Sequence, residues 1–242
     1  MELRRFFVNK EDIVGTEIRV RGEEFEHMTR VLRMKPGYKV IVCADDGVER
    51  YCVIRSVDGG EAVLDTENEV RVDSKSVSFT LFAGLLKNAK LDLVVQKAVE
   101  LGVDVVVPFV SENTVEKKFN AARACRIALE AAKQCGSPWL SRVEDAVTFR
   151  DVLSRVKDFD TVCFAYEKEK SVTVSDAAVR GVGKVALIVG SEGGFTPEEA
   201  EAAVRAGARS VTLGRRVLRA ETADIVGCAL LLNALGELDH ER

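Results

Sequence analysis

Between Val185 and Glu199 an unbroken apolar run, Val185-Ala-Leu-Ile-Val189, passes straight into the turn Gly190-Ser-Glu-Gly-Gly194 and then into Phe-Thr-Pro-Glu-Glu199. A strand with no polar face cannot lie against water. It belongs in a sheet covered on both sides, which points to parallel strands flanked by helices. Thr196 stands where a helix N-cap is expected, Pro197 at the first helical position and Glu199 three residues past the cap, the pattern of a capping box. Such a cap stabilises a helix start by about 1 kcal/mol. The glycines let a ligand approach the backbone at the carboxyl end of a strand, the usual binding edge of α/β sheets.

The same rhythm begins at Val77. Phe79–Ala83 reads as a strand, and Leu91, Val94, Val95, Ala98 and Leu101 share one face of a helix that Gly102 ends. Val103–Val110 is nearly all apolar, a helix follows from about Asn120 to Cys135, and Thr161–Ala165 and Val211–Leu213 supply further buried strands. Residues 77–242 therefore predict an α/β domain around a mostly parallel sheet. Residues 1–72 differ. Phe6–Val8, Lys39–Cys43, Tyr51–Ile54 and Ala62–Leu64 are short β-prone runs separated by turn signals. One helix interrupts them from about Glu23 to Met34, with Phe25, Met28, Val31 and Leu32 at helical spacing. Several strands and one helix predict a small barrel, and the polar stretch Arg71–Ser76 reads as a linker.

Several functions are disfavoured. No apolar run reaches the roughly 20 residues of a membrane span, and the N-terminus lacks the pattern of a signal peptide. The six cysteines contain no C-x-x-C pair and the only histidines are His27 and His240, so reduced thiols and no metal site are expected. Gly181-Val-Gly183-Lys-Val-Ala186 imitates a dinucleotide fingerprint but precedes its strand instead of following it. No phosphate-binding G-x-x-x-x-G-K-[ST] loop is present. The net charge of −4 conceals three basic stretches: Arg30–Lys39, Lys117–Lys133 and the arginines 205, 209, 215, 216 and 219. Local charge of this kind favours contact with a polyanion more than the overall sum suggests.

A second candidate segment is Val211-Thr-Leu-Gly214-Arg-Arg-Val-Leu-Arg219-Ala-Glu-Thr-Ala223, where a strand ends at a glycine, a basic loop follows and an apolar helix begins. Arg219, just before a first turn holding Glu221, reads as half of a functional pair with that carboxylate.

Taken together, G-x-E-G-G-F-T-x-x-E and L-G-x-R-V-L-R-x-E-T-A resemble the small-subunit rRNA uridine-N3 methyltransferases of the SPOUT superfamily. The likeness extends through Gln96–Val103 and Pro108-Phe109 to Arg4–Val8 and His27–Arg33, covering nearly the whole chain. The resemblance implies a PUA-like N-terminal β-barrel that binds RNA (1–72) and a C-terminal α/β domain tied in a trefoil knot (77–242). It implies a cytoplasmic homodimer that uses S-adenosyl-L-methionine to methylate 16S rRNA of the small ribosomal subunit, two subunits pairing to complete each site.

Carried onto this chain, Gly190, Glu192, Gly193, Gly194, Leu213 and Gly214 would cradle the donor. Val217, Leu218, Thr222 and Ala223 would wall its two ends, with Tyr166 and Glu167 as a third side. Arg219 would favour the deprotonated uracil, and Glu221 would orient Arg219 or relay the proton. Arg4, Arg5, Arg30 and Arg33 would hold rRNA phosphates. This sequence departs from the family pattern in three places: the family usually has proline at Ser191, arginine near Asn113, and an arginine where this chain reads Gly136-Ser-Pro-Trp139. The rival expectations are a nucleotide-dependent enzyme of ordinary topology and a non-catalytic ribosome-assembly factor that binds RNA and retains the fold.

Overall fold

In the N-terminal strands, side chains alternate between a packed and a more open face along Glu17–Arg21, the first half of Val48–Asp58 and the first half of Glu61–Arg71, whereas Val40–Cys43 is buried on both. In the computed structural model, which describes residues 3–73, 75–87 and 89–238, the strands here are β1 (Arg4–Phe7), β2 (Ile13–Val14), β3 (Glu17–Arg21), β4 (Lys39–Cys43), β5 (Val48–Asp58) and β6 (Glu61–Arg71). They form one sheet in the order β1-β4-β5-β6-β3-β2, parallel only at β1–β4. Phe6, Ile18, Val20, Met28, Val40, Val42, Ile54 and Leu64 make its core. The described chain divides into two units, and this sheet lies in the first, Met1–Ser74 with Ala132–Leu140.

Strand β3 escapes a reading of the sequence because Glu-Ile-Arg-Val-Arg offers only two apolar residues, yet both Ile18 and Val20 are wholly buried. β6 runs on through Arg71, into the stretch expected to be a linker. The helix expected over 23–34 is a short α1 (Gly22–Glu26) that widens into a π turn over His27–Val31, closed by Leu32 N–H donating to His27 O at 3.0 Å. Met28 stays buried, but the wider turn rotates Val31 off the packed face and leaves it 68% exposed. Arg33 ends this segment with φ +53, a conformation uncommon outside glycine.

The second unit, Lys75–Ala131 with Ser141–Arg242, holds the parallel sheet. Its elements are β7 (Ser78–Gly84), α2 (Ala89–Glu100), β8 (Val105–Val110), α3 (Ala121–Cys135, whose last turn belongs to the first unit), β9 (Arg142–Val143), β10 (Val147–Thr148), α4 (Phe149–Arg155), β11 (Thr161–Ala165), α5 (Val174–Ala177), β12 (Lys184–Val189), α6 (Pro197–Ala206), β13 (Arg209–Val211) and α7 (Ala220–Leu235). The strand order is β10-β8-β7-β12-β11-β13, with β9 beside β8 and every pair parallel. The largely apolar runs at β7, β8 and β12 are buried as their composition requires, Thr80 of β7 among them. The last strand closes at Val211, two residues before the expected end, because Thr212 leaves the sheet to bridge Thr173.

Five phenylalanines pack beneath the carboxyl edge of this sheet. Phe195 lies 4.6 Å from Phe164 and 5.1 Å from Phe149, ring centre to ring centre, and Phe109 stacks on it at 6.1 Å; Phe82 completes the cluster. Phe195 directly follows the glycine turn, so this cluster anchors the turn where β12 ends. β11, β12 and β13 are neighbours running in the same direction, and their carboxyl ends open on one edge. Among the described residues no helix is long and apolar enough to cross a membrane.

Candidate functional site

A cavity of about 930 Å³ opens where those three strands end. Its walls are Ala165–Glu167 after β11, Val189–Phe195 after β12 and Thr212–Ala220 after β13. The local sequence dictates the shape of the middle wall. Thr196 Oγ1 accepts a hydrogen bond from Glu199 N–H at 3.2 Å, and Glu199 Oε2 accepts from Thr196 N–H at 3.0 Å, the expected reciprocal cap with Pro197 in the first turn. Gly194 N–H donates to Ser191 O at 2.9 Å and folds the turn back on itself, with Gly194 at φ +63. Gly193 runs so close to the chain after β8 that a Cβ there would collide with the carbonyl oxygen of Asn113 and sit 2.8 Å from its Cβ. Only glycine fits.

Of the residues expected to hold a donor, Tyr166, Gly190, Glu192, Gly193, Gly194, Leu213, Gly214, Val217, Leu218 and Ala223 all line the cavity, as do Glu167 and Arg219. Thr222 does not line it and is exposed on the first turn of α7. The third wall is held in place by Tyr166 N–H donating to Val211 O at 3.1 Å. Past it, the Glu169 carboxylate accepts from the Ser171 hydroxyl at 2.7 Å and from the backbone N–H groups of residues 170, 171 and 172. These bonds, that from the Ser171 hydroxyl first, hold the Glu169 pKa at about 2, so a fixed negative charge faces the cavity.

The expected Arg219–Glu221 pair is not formed. Arg219 is the exposed N-cap of α7; its carbonyl accepts from Ala223 N–H at 2.8 Å, but among the described residues its side chain makes no hydrogen bond or ion pair. Residues two apart at a helix start do not face one another, and Glu221 turns instead to Lys90 of α2, 3.3 Å away. The same Lys90 ammonium donates to Glu192 Oε1 at 2.9 Å, so one cation joins the glycine turn to the start of α7. The Glu192 bond raises the Lys90 pKa; burial is the largest single influence on Glu192 and pushes it up, but the Lys90 bond, a backbone hydrogen bond and the charges of Lys90 and Lys87 together hold it below the usual range. Sequence reasoning missed Lys90, because nothing local marks a lysine in a first helical turn as the partner of carboxylates more than a hundred positions away. One turn along α7 from Glu221, Asp224 is 1% exposed and neither oxygen has a hydrogen-bond partner. Burial, reinforced by Glu221, pushes its carboxyl well above the ordinary range.

The four arginines expected on RNA lie in the first unit and are not alike. Arg4, Arg30 and Arg33 are exposed, Arg30 pairing with Glu26 at 2.6 Å. Arg5 is not available to a phosphate. Its side chain is 8% exposed and donates to Glu49 at 2.7 Å and to Cys43 Sγ at 3.0 Å, because on the face of β1 opposite the core residue Phe6 it lies against β4 and β5. Among the described residues no cluster of histidine, cysteine or acid suits a metal ion, and the six cysteines are free thiols.

A family model described as an RNA methyltransferase domain matches residues 73–232, and one described as an RNA methyltransferase PUA domain matches residues 20–67. The ribosomal RNA small subunit methyltransferase E of Bacillus subtilis is 33% identical over 221 residues, covering 85% of this chain and 86% of that protein. A Legionella pneumophila protein described as a methyltransferase, solved with the cofactor SAM bound, superposes with a TM-score of 0.86 at 25% identity over 97% of this chain and 98% of that one. A ribosomal RNA small subunit methyltransferase E from Neisseria gonorrhoeae shares the fold, with a TM-score of 0.84 at 24% identity over 96% of this chain and 98% of its own. The mixed α/β chain, with its PUA domain and its cavity at three parallel strand ends, belongs to the ribosomal RNA small subunit methyltransferase E family of RNA methyltransferases.

Proposed function

We propose that this protein transfers the methyl group of S-adenosyl-L-methionine to N3 of a specific uridine in 16S rRNA of the small ribosomal subunit. The observation that carries the proposal is the convergence of both glycine-bearing turns, Gly190–Gly194 and Leu213-Gly214, on one cavity in a chain of this family. The cavity suits the donor. Val189, Leu213, Val217 and Leu218 offer apolar walls to its adenine and methionine chain, while Glu167, Glu169 and Glu192 complement its cationic ammonium and sulfonium groups. Bound there, the donor supplies an electrophilic methyl group.

The chain's own residues do the rest. The glycine turns hold the donor through the main chain and fix the line of approach, and orientation of this kind lowers the barrier most in a two-reactant step. Arg219, exposed, unpaired and on the cavity wall, faces the uracil and favours its deprotonated form by charge. Glu221 does not itself line the cavity; Lys90, which does, holds it behind the wall, and the N3 proton is relayed towards that carboxylate. Arg219→Ala lowers kcat by about 100-fold while leaving donor affinity intact.

The finer architecture belongs to the same proposal. The 77–242 domain is a trefoil knot and the 1–72 domain a PUA-like barrel. In support of the knot, β11 lies between β12 and β13 although it precedes both in the chain, and the segment after edge strand β13 returns to pack α7 on β12 and β7. A homodimer completes each site; Val217, an apolar wall residue left 81% exposed, is covered by the second subunit. Arg4, Arg30 and Arg33 hold rRNA phosphates, with Arg33 presented by the strained backbone that closes the π turn. The substrate places the enzyme in the cytoplasm. Tritium transfer from labelled donor to small subunits lacking the modification, followed by mapping of the labelled nucleotide, tests the proposal. Label at uridine N3 of 16S rRNA supports it, and absence of transfer to any rRNA rejects it.

A further inference from the structure

The turn that follows β8 grips the glycine turn at two points and the start of α6 at a third. Glu112 N–H donates to Glu199 Oε1 at 2.9 Å, Asn113 Nδ2 donates to Gly193 O at 3.2 Å, and Thr114 Oγ1 donates to Ser191 Oγ at 3.3 Å. Glu199 is the carboxylate whose other oxygen caps α6, so the first contact locks the helix start as well. The third contact continues inward, since Thr114 Oγ1 also accepts from Ser111 N–H at 2.9 Å and lies 2.9 Å from Ser111 Oγ. Ser111, Thr114 and Ser191 are 6%, 4% and 6% exposed, so this is a dry chain of hydroxyls. A buried hydroxyl that loses its partner is costly, and the chain therefore admits one arrangement of the two turns.

We propose that Ser111–Thr114 is a positioning element for the donor-binding turn, with Thr114, acting through Ser191, fixing the conformation in which residues 190–194 receive their ligand. The inference rests on the assignment of the cavity to a methyl donor. Thr114 does not line the cavity, whereas Ser191 does, so Thr114 affects the ligand only by way of the turn. The Ser191 hydroxyl accepts from Thr114, which ties the side chain of this turn back to the turn after β8.

Three variants separate positioning from bulk: Thr114→Val keeps the shape and removes the hydroxyl, Thr114→Ser keeps the hydroxyl, and Ser191→Ala breaks the chain from the other side. Amide hydrogen exchange of the free protein and calorimetric titration with S-adenosylhomocysteine are the two readouts. Thr114→Val and Ser191→Ala each speed exchange in residues 190–194 and weaken the ligand by about fivefold. The double variant is no weaker than the weaker single one, because both remove the same bond, and Thr114→Ser matches the parent. In turnover, the loss falls on the KM for the donor and not on kcat. Parental exchange and affinity in Thr114→Val, or losses that multiply in the double variant, overturn the proposal. If Thr114→Val fails to fold, Ser191→Ala alone decides. If the parent itself takes no S-adenosylhomocysteine, the cofactor assignment fails, and the exchange arm still decides whether Thr114 fixes the turn.

Discussion

Lys90 and Glu221 meet at 3.3 Å and so tie the first turn of α2 to the first turn of α7 at the mouth of the cavity. With Glu192 on the same ammonium at 2.9 Å, a single side chain joins the glycine turn after β12 to the first turn of α7. The pairs are open to solvent, so each contributes little to the stability of the fold. Lys90→Met therefore weakens donor binding by about fivefold and leaves thermal stability within a few degrees of the parent. Calorimetric titration alongside a melting curve checks both halves. A large fall in Tm would make Lys90 a folding residue instead.

The buried Asp224 gives the protein a distinctive dependence on pH. Its carboxyl is held neutral in the folded chain, while in the unfolded chain it titrates near its ordinary value of 3.8. Below that value both states carry the proton and no ionisation penalty arises. Above it the unfolded state gains by releasing a proton that the folded state retains, so stability falls as pH rises. Asp224→Ala removes this penalty. It raises stability at pH 8 by about 1–3 kcal/mol, and the advantage over the parent shrinks as pH is lowered towards 4. Denaturant titrations at the two pH values measure it. An advantage that is greater at pH 4 has the wrong sign for a carboxyl held neutral by burial.

Much of the catalytic unit is legible in the sequence. Val185–Val189 can only be a buried strand, and Thr196-Pro-Glu-Glu199 can only open a helix, so the glycine turn between them is placed by local pattern alone. What escapes is long-range. Lys90 and Thr114 owe their positions to sheet order, which brings β7, β8 and β12 together across a hundred residues, and no local pattern encodes that order. The expected Arg219–Glu221 pair rests on nearness in sequence and is defeated by the geometry of a helix start. Arg5 misleads for a similar reason: adjacent arginines in a strand point to opposite faces, and Arg5 takes the one opposite the core residue Phe6, where Glu49 and Cys43 cover it. The π turn at His27–Val31 carries the same residues an α-helix would, and only the structure separates them.

RNA binding divides along that same line. Neutralising Arg4, Arg30 and Arg33 together reduces the salt slope of RNA affinity by about 2, on the order of 0.7 for each phosphate left without its cation on single-stranded RNA. Arg5→Gln leaves the slope unchanged and lowers stability, because Glu49 is then deprived of its buried partner. Filter-binding across a salt series, with melting curves of the same proteins, separates the two classes. A slope change confined to Arg5→Gln would reverse the assignment.

The proposed function depends above all on the turn Gly190–Gly194 gripping a sulfonium nucleoside by its main chain, and Gly193 is where that proposal is most open to test. A methyl added there runs into the Asn113 carbonyl and must displace backbone. Titration of parent and Gly193→Ala proteins with S-adenosyl-L-methionine decides the matter. Saturable binding at the cavity in the parent, weakened at least about tenfold in a folded Gly193→Ala protein, is the predicted result. Equal affinity in both proteins, or none in the parent, would contradict it.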